Sequence, residues 1–221
     1  MDLSKAIKKF KKSPNNSFSI YLFHGVINKP IKKESVLNYN NKHIHIKKFI
    51  TFLKKISKLG KPISMNEVYD IINNKKKIKK KSFAITFDDG FENNISIAAP
   101  VLINLQIPFT IYITTSFVDK NAMSWIDKID YAINETKKKQ LNIPELNKNF
   151  QIKNKNLKNN FLNKIRKFLK ENNQIDPYKF SSNFCKNLKI IKFPKKNPIY
   201  KKMNWKQLKK ISTNKFCIIG G

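Results

Sequence analysis

Ser82-Phe83-Ala84-Ile85-Thr86-Phe87-Asp88-Asp89-Gly90-Phe91-Glu92 is the stretch whose reading decides the fold. The apolar run from Phe83 to Phe87 lies between polar Lys81 and Gly90, has strand rather than helix length, and is rich in residues that favour extended backbone. Polar and apolar residues do not alternate in it. It therefore predicts a strand covered on both faces, as in a parallel α/β sheet. Asp88 and Asp89 then stand at the strand's carboxyl end, the edge where such folds bind ligands. Adjacent carboxylates repel unless something offsets their charge. A divalent cation does so and lets the pair divide labour, one carboxylate on the ion and the other free as a general base. Gly90 permits a sharp exit that turns both side chains toward one site. The same residues also read as a solvated Asp-Asp-Gly turn after a strand.

Working outward, Ser17–Phe23 reads as a first strand ending at His24-Gly25, and residues 28–42 as a polar loop. Ile46, Phe49, Ile50, Leu53, Ile56 and Leu59 recur at helical spacing, and Gly60 ends that helix. Ser64-Met65-Asn66-Glu67 has the form of a capping box opening a helix with Val68, Ile71 and Ile72 inward. After Glu92 an amphipathic helix is predicted, with Pro100 kinking it or starting its second part. A strand follows in Pro108–Thr115, then a helix over Met123–Ile133 carrying Trp125 and Asp127. Residues 137–202 are rich in Lys and Asn and read as an insertion of short helices, with Phe161, Leu162, Ile165, Phe168 and Leu169 on one apolar face. Asn204 caps a helix to Ser212, and Phe216–Ile219 starts another strand. Residues 1–16 form a basic lead-in, leaving one domain over 17–221. Strands alternating with helices imply a parallel α/β sheet.

A chain of 221 residues can bury a substantial core. Its 46 basic against 14 acidic residues give a formal net charge of +32, nearly all from lysine, since Arg166 is the only arginine. Such charge attracts anionic partners, including membrane surfaces, but also describes a generally solvated basic exterior. Base readout leans on arginine, which argues against specific nucleic-acid binding. Cys185 and Cys217 lack metal or redox spacing and read as reduced core residues. No apolar signal segment follows the N-terminus, and Phe18–Val26 is too short to span a membrane. The expectation is a cytoplasmic protein, with loose peripheral association at membranes allowed.

Thr86-Phe87-Asp88-Asp89-Gly90-Phe91 resembles the first motif of the polysaccharide deacetylases, the NodB-homology or carbohydrate esterase family 4 group. Tyr21–Val26 is similar to that family's opening strand, Phe49–Gly60 to its first helix, and Trp205–Leu208 with Ile218–Gly221 to the lead-in of its second motif. The resemblance implies an incomplete distorted (β/α) barrel with parallel strands and a helical insertion. It implies metal-dependent removal of N-acetyl groups from a sugar or polysaccharide, hydrolysing a carbon–nitrogen bond. By position, Asp88 is the general base and Asp89 the ligand of a divalent metal, zinc being the family's usual ion. His24, Trp125 and Asp127 are further candidates, on the substrate side or behind the site.

The family completes its metal site with an H-x-x-x-H motif and takes its general acid from a later histidine. Here the only histidines are His24, His43 and His45, all upstream of the aspartates. His43 and His45 are two apart at a predicted helix start, so they read as exposed and not as a pair on one helical face. The expectation is a catalytic domain ending at its second motif and inactive as it stands. The alternative is a non-catalytic glycan-binding or interaction protein that keeps part of the fold.

Overall fold

In the computed structural model, which describes residues 2–194 and 196–221, the run Ser82–Phe87 is a strand buried along its whole length. In chain order the elements are α1 (Leu3–Lys12), β1 (Phe18–Phe23), β2 (Gly25–Ile27), β3 (His43–His45), α2 (Ile46–Ser57), β4 (Lys61–Pro62), α3 (Met65–Ile72) and β5 (Ser82–Phe87). There follow α4 (Ala99–Asn104), β6 (Phe109–Tyr112), α5 (Thr115–Lys120), α6 (Trp125–Glu135), β7 (Gln140–Ile143), β8 (Lys148–Gln151), α7 (Lys155–Glu171), α8 (Pro177–Asn187), α9 (Trp205–Ser212) and β9 (Cys217–Gly220). They fall into two units, one of residues 1–30, 41–122 and 196–221, the other of residues 31–40 and 123–195.

The first unit is built on a five-stranded sheet in the order β1-β5-β6-β9, with β4 also pairing β5. Every pairing in it is parallel. The α/β class and parallel strands expected from the sequence are present, and the sheet is not closed into a barrel. Alternation along β5 sends Phe83, Ile85 and Phe87 to one face, where α1 and α2 cover them. Phe23, Phe49, Phe52, Phe87 and Phe109 meet there mostly edge to ring at centroid distances of 5.3–6.4 Å. Phe10 of α1 is 1 % exposed and packs on Tyr21 and Phe83, so the basic N-terminal segment contributes to this core. On the other face Ala84 packs against Ile63 and Val68.

The helix signals place well. Ser64 Oγ accepts from the Glu67 N–H at 3.1 Å, and Glu67 Oε2 accepts from the Ser64 N–H at 3.0 Å, closing the capping box. Asn204 and Gln207 make the same reciprocal pair at the start of α9. Ser64→Ala should therefore cost about 1 kcal/mol of stability, measured by urea unfolding; a change below about 0.3 kcal/mol would show that the cap contributes nothing there. Pro100 lies in the first turn of α4, where its missing N–H costs no bond, after a single turn of π-helix at Asn94–Ala98. Ile72, expected inward, is 64 % exposed, because α3 turns Met65, Val68 and Ile71 to the sheet.

In the second unit, α6, α7 and α8 enclose a core of Ile129, Ile133, Phe161, Leu162, Ile165 and Phe184. The expected all-helical insertion is corrected in one respect. β7 and β8 form an antiparallel hairpin, turned at Asn147 with φ +45°. Its signal is the alternation that buries Leu141, Ile143 and Phe150 while Lys and Asn face outward. Both cysteines are free and buried, and burial pushes their thiols up, Cys185 to about 11 and Cys217 to about 12, as inert core residues. No described helix is long and apolar enough to cross a membrane.

Candidate functional site

Two registers assemble the rim of the first unit. Phe23 lies opposite Phe87, and the Asp88 N–H extends that ladder by donating to the Phe23 carbonyl at 3.0 Å. His24 and Asp88 therefore leave their strands side by side. In the smaller sheet Gly25 lies opposite His43, which sets Lys42 at the level of His24. His24, Lys42, Asp88 and Asp89 are thus gathered at the carboxyl end of the sheet. Asp89 and Gly90 both have left-handed backbone, with φ of +69° and +58°, so the chain turns abruptly after β5.

The loop after the aspartates is clamped by Lys201–Met203. The Met203 N–H donates to the Gly90 carbonyl and the Glu92 N–H to the Lys201 carbonyl, each at 2.9 Å. Phe91 is fully buried beneath Lys202, whose Nζ lies 3.2 Å from the ring centroid and 4.7 Å from that of Phe117. The His43 ring meets Phe91 edge on, and its Nδ1 lies 3.0 Å from Asn93 Nδ2. One expectation changes here. His43 is a buried strand residue instead of an exposed helix-start residue, because β3 precedes α2. His45 caps α2, its Nδ1 accepting from the Lys47 N–H at 3.3 Å.

Asp88 is only partly exposed. Burial raises its carboxyl above the usual range; the neighbouring His24 pulls it down and the Asp89 charge pushes it up. Asp89 has a cation of its own, with Lys42 Nζ 3.4 Å from Oδ2. Sequence reasoning passed over Lys42 and Lys202, since nothing local distinguishes them from the other lysines. Trp125 and Asp127 lie in the second unit. Trp125 packs on that unit's core, and buried Asp127 occupies the first turn of α6, where its charge faces the positive end of the helix.

The metal implied by the family resemblance does not fit these residues. Among the described residues no three His, Cys, Asp or Glu side chains are grouped to hold an ion, and the ammonium of Lys42 already faces the Asp89 carboxylate.

Residues 75–176 match the family model described as polysaccharide deacetylase. No curated protein matches the chain. Among solved structures, a de-N-acetylase from Aggregatibacter actinomycetemcomitans is 20 % identical over 48 % of this chain and 42 % of its own, with a TM-score of 0.40. IcaB from Ammonifex degensii is 20 % identical over 52 % of this chain and 48 % of its own, with a TM-score of 0.41. The deacetylase PplD of Streptococcus pyogenes, in complex with acetate, is 17 % identical over 53 % of this chain and 52 % of its own, with a TM-score of 0.40. The chain thus spans about half the length of these structures or less. With the motif Thr86–Phe91 inside the matched segment, the chain resembles the polysaccharide deacetylases over residues 75–176.

Proposed function

We propose that this chain carries the base-bearing rim of a hydrolase that removes N-acetyl groups from a sugar or polysaccharide. The observation that carries the reading is the placement of Asp88 beside His24 and Asp89 at the carboxyl end of a parallel sheet, with its carboxyl held above the ordinary range. A carboxylate so placed takes a proton from water more readily than a fully solvated one, as a general base must while the water attacks the amide carbonyl. His24 stands at the same rim and orients or partly compensates that charge. Asp89 is the carboxylate that the family resemblance assigns to a metal, an ion that the described residues do not fit. Trp125 and Asp127 enter only as substrate-side candidates. Loose attraction of anionic surfaces to the lysines is a secondary part of the proposal.

Acetate release from N-acetylglucosamine oligomers by the product of the whole reading frame tests the reading. Asp88→Asn should lower the rate at least about 100-fold with the fold intact. The base must be deprotonated to act, so the rate should fall as pH drops through the raised pKa of Asp88. The acid limb should therefore lie at higher pH than for an ordinary aspartate. An Asp88→Asn protein with undiminished release would sink the assignment. Residues 1–221 by themselves should release no acetate on addition of zinc, since among the described residues no three His, Cys, Asp or Glu side chains are grouped to hold an ion.

A further inference from the structure

The amino end of the first unit's sheet, opposite the aspartates, is built from lysine. Phe18 of β1 and Lys61 of β4 both lie level with Ser82, so three parallel strands begin together there. The segments that lead to this end, residues 3–12, 54–61 and 75–81, are rich in lysine and contain no carboxylate. Lys81 ties them together. Its Nζ donates to the Lys11 carbonyl at 3.0 Å and lies 5.7 Å from the Phe10 ring centroid, and its carbonyl accepts from the Lys61 N–H at 2.8 Å. A Cβ on Gly60 would stand 2.7 Å from both the Lys81 carbonyl oxygen and the Phe10 ring, so the three segments touch. Lys12, Lys58, Lys77 and Lys80 are exposed around this junction. Of the carboxylates on α3, Glu67 is already bound by Lys76 Nζ at 2.7 Å. Because α3 carries the chain back from β4 to the loop entering β5, its last turn brings apolar surface to the same end. Tyr69 and Ile72 are 59 % and 64 % exposed there, with Lys75 Nζ 5.4 Å from the Tyr69 ring centroid.

We infer that this end docks the protein on an anionic lipid bilayer, with the lysines over the headgroups and Tyr69 and Ile72 entering the interface. Each lysine near an anionic bilayer strengthens binding by about fivefold, and here no carboxylate within the three segments cancels that attraction. A nucleic acid would meet the same charge. The segments hold no arginine for bidentate contacts, however, and aliphatic Ile72 has nothing to bind on a phosphate backbone. An exposed tyrosine and isoleucine among lysines instead match the mixed polar and apolar layer at a bilayer surface. Since Asp88 follows the other end of β5, docking leaves its rim open to solution. The docking rests on the loose attraction to anionic surfaces proposed above, narrowed to one end of one sheet, and is independent of the hydrolysis.

Co-sedimentation of the 221-residue chain with phosphatidylcholine vesicles, with and without phosphatidylserine, tests the docking. Binding should require phosphatidylserine. Lys12→Gln, Lys58→Gln, Lys77→Gln and Lys80→Gln combined should weaken it at least about 50-fold. The same change at Lys47, Lys48, Lys120 and Lys206, exposed lysines of helices at the rim end, is the control. It should weaken binding less than about fivefold, because α2 alone sets Lys47 and Lys48 farther from Lys58 than the screening length of about 8 Å. Equal losses in the two quadruple variants would overturn the docking end and leave the general attraction standing. No binding to either vesicle would overturn both. Tyr69→Ser with Ile72→Ser should weaken vesicle binding severalfold and leave binding to a DNA duplex unchanged. Vesicle binding unaffected by these serines, or tighter binding to the duplex than to the vesicles, would overturn the bilayer as partner. Acetate release enters none of these measurements, so failure of the hydrolase reading leaves their result standing.

Discussion

Phe87→Ala is expected to lower stability by about 3–5 kcal/mol, the range for deleting a fully buried phenyl ring. Phe87 is completely buried, with the rings of Phe23, Phe49 and Phe109 around it at 5.8–6.4 Å. These neighbours come from two other strands and a helix, all held by their own pairings, so the site can collapse only partly into the space left. Urea unfolding of the two proteins gives the difference. A loss under about 1.5 kcal/mol would mean that the neighbouring rings close the void and that the cluster is less fixed than its geometry implies. The substitution also bears on the site, because Phe87 is the last residue of β5 and anchors the backbone from which Asp88 projects.

Gly25→Ala carries the second largest expected effect. A Cβ at this position would stand 2.0 Å from His43 Nδ1 and 2.6 Å from Asn93 Oδ1. Neither neighbour has room to retreat. His43 is 3 % exposed against the Phe91 ring, and Asn93 is fully buried, bonded at 3.0 Å to the Pro198 carbonyl. Relief requires β2 and β3 to part, which also moves His24 and Lys42 off the rim. The cost should reach or exceed the top of the ~1–3 kcal/mol range for overpacking. Loss of the folded protein, seen as a missing cooperative melt, is within expectation. A variant as stable as its parent would show that the β2–β3 pairing is not the one described.

The strand Ser82–Phe87, its two-sided burial and the rim position of Asp88 and His24 were legible because each depends on local pattern. A short apolar run of strand-favouring residues between Lys81 and Gly90 reads as a covered strand, and parallel strands end on one edge. The capping box at Ser64 and the cap at Asn204 were legible for the same reason. The cations around the site were not. Lys42 and Lys202 are two among 46 basic residues, and only long-range pairing, β2 with β3 and Phe91 with Lys202, singles them out. His43 illustrates the limit from the other side. Its neighbours suggested a helix start, but a three-residue strand with a parallel partner carried it into the core. The hairpin of β7 and β8 was hidden by composition, since its abundant Lys and Asn obscured a regular alternation.

The pairing of β9 with β6 has a consequence for biosynthesis. Phe109 meets Cys217, so the two strands are separated in sequence by the larger segment of the second unit, residues 123–195. During translation β6 is made long before its partner emerges. Through that interval it presents unsatisfied amides and carbonyls along Phe109–Tyr112. A ribosome that pauses between these strands holds a nascent chain able to recruit a strand from another molecule, and high parallel contact order lengthens that exposure. Codon usage and chaperone access across residues 113–216 therefore bear on yield as much as the thermodynamics of the finished sheet do.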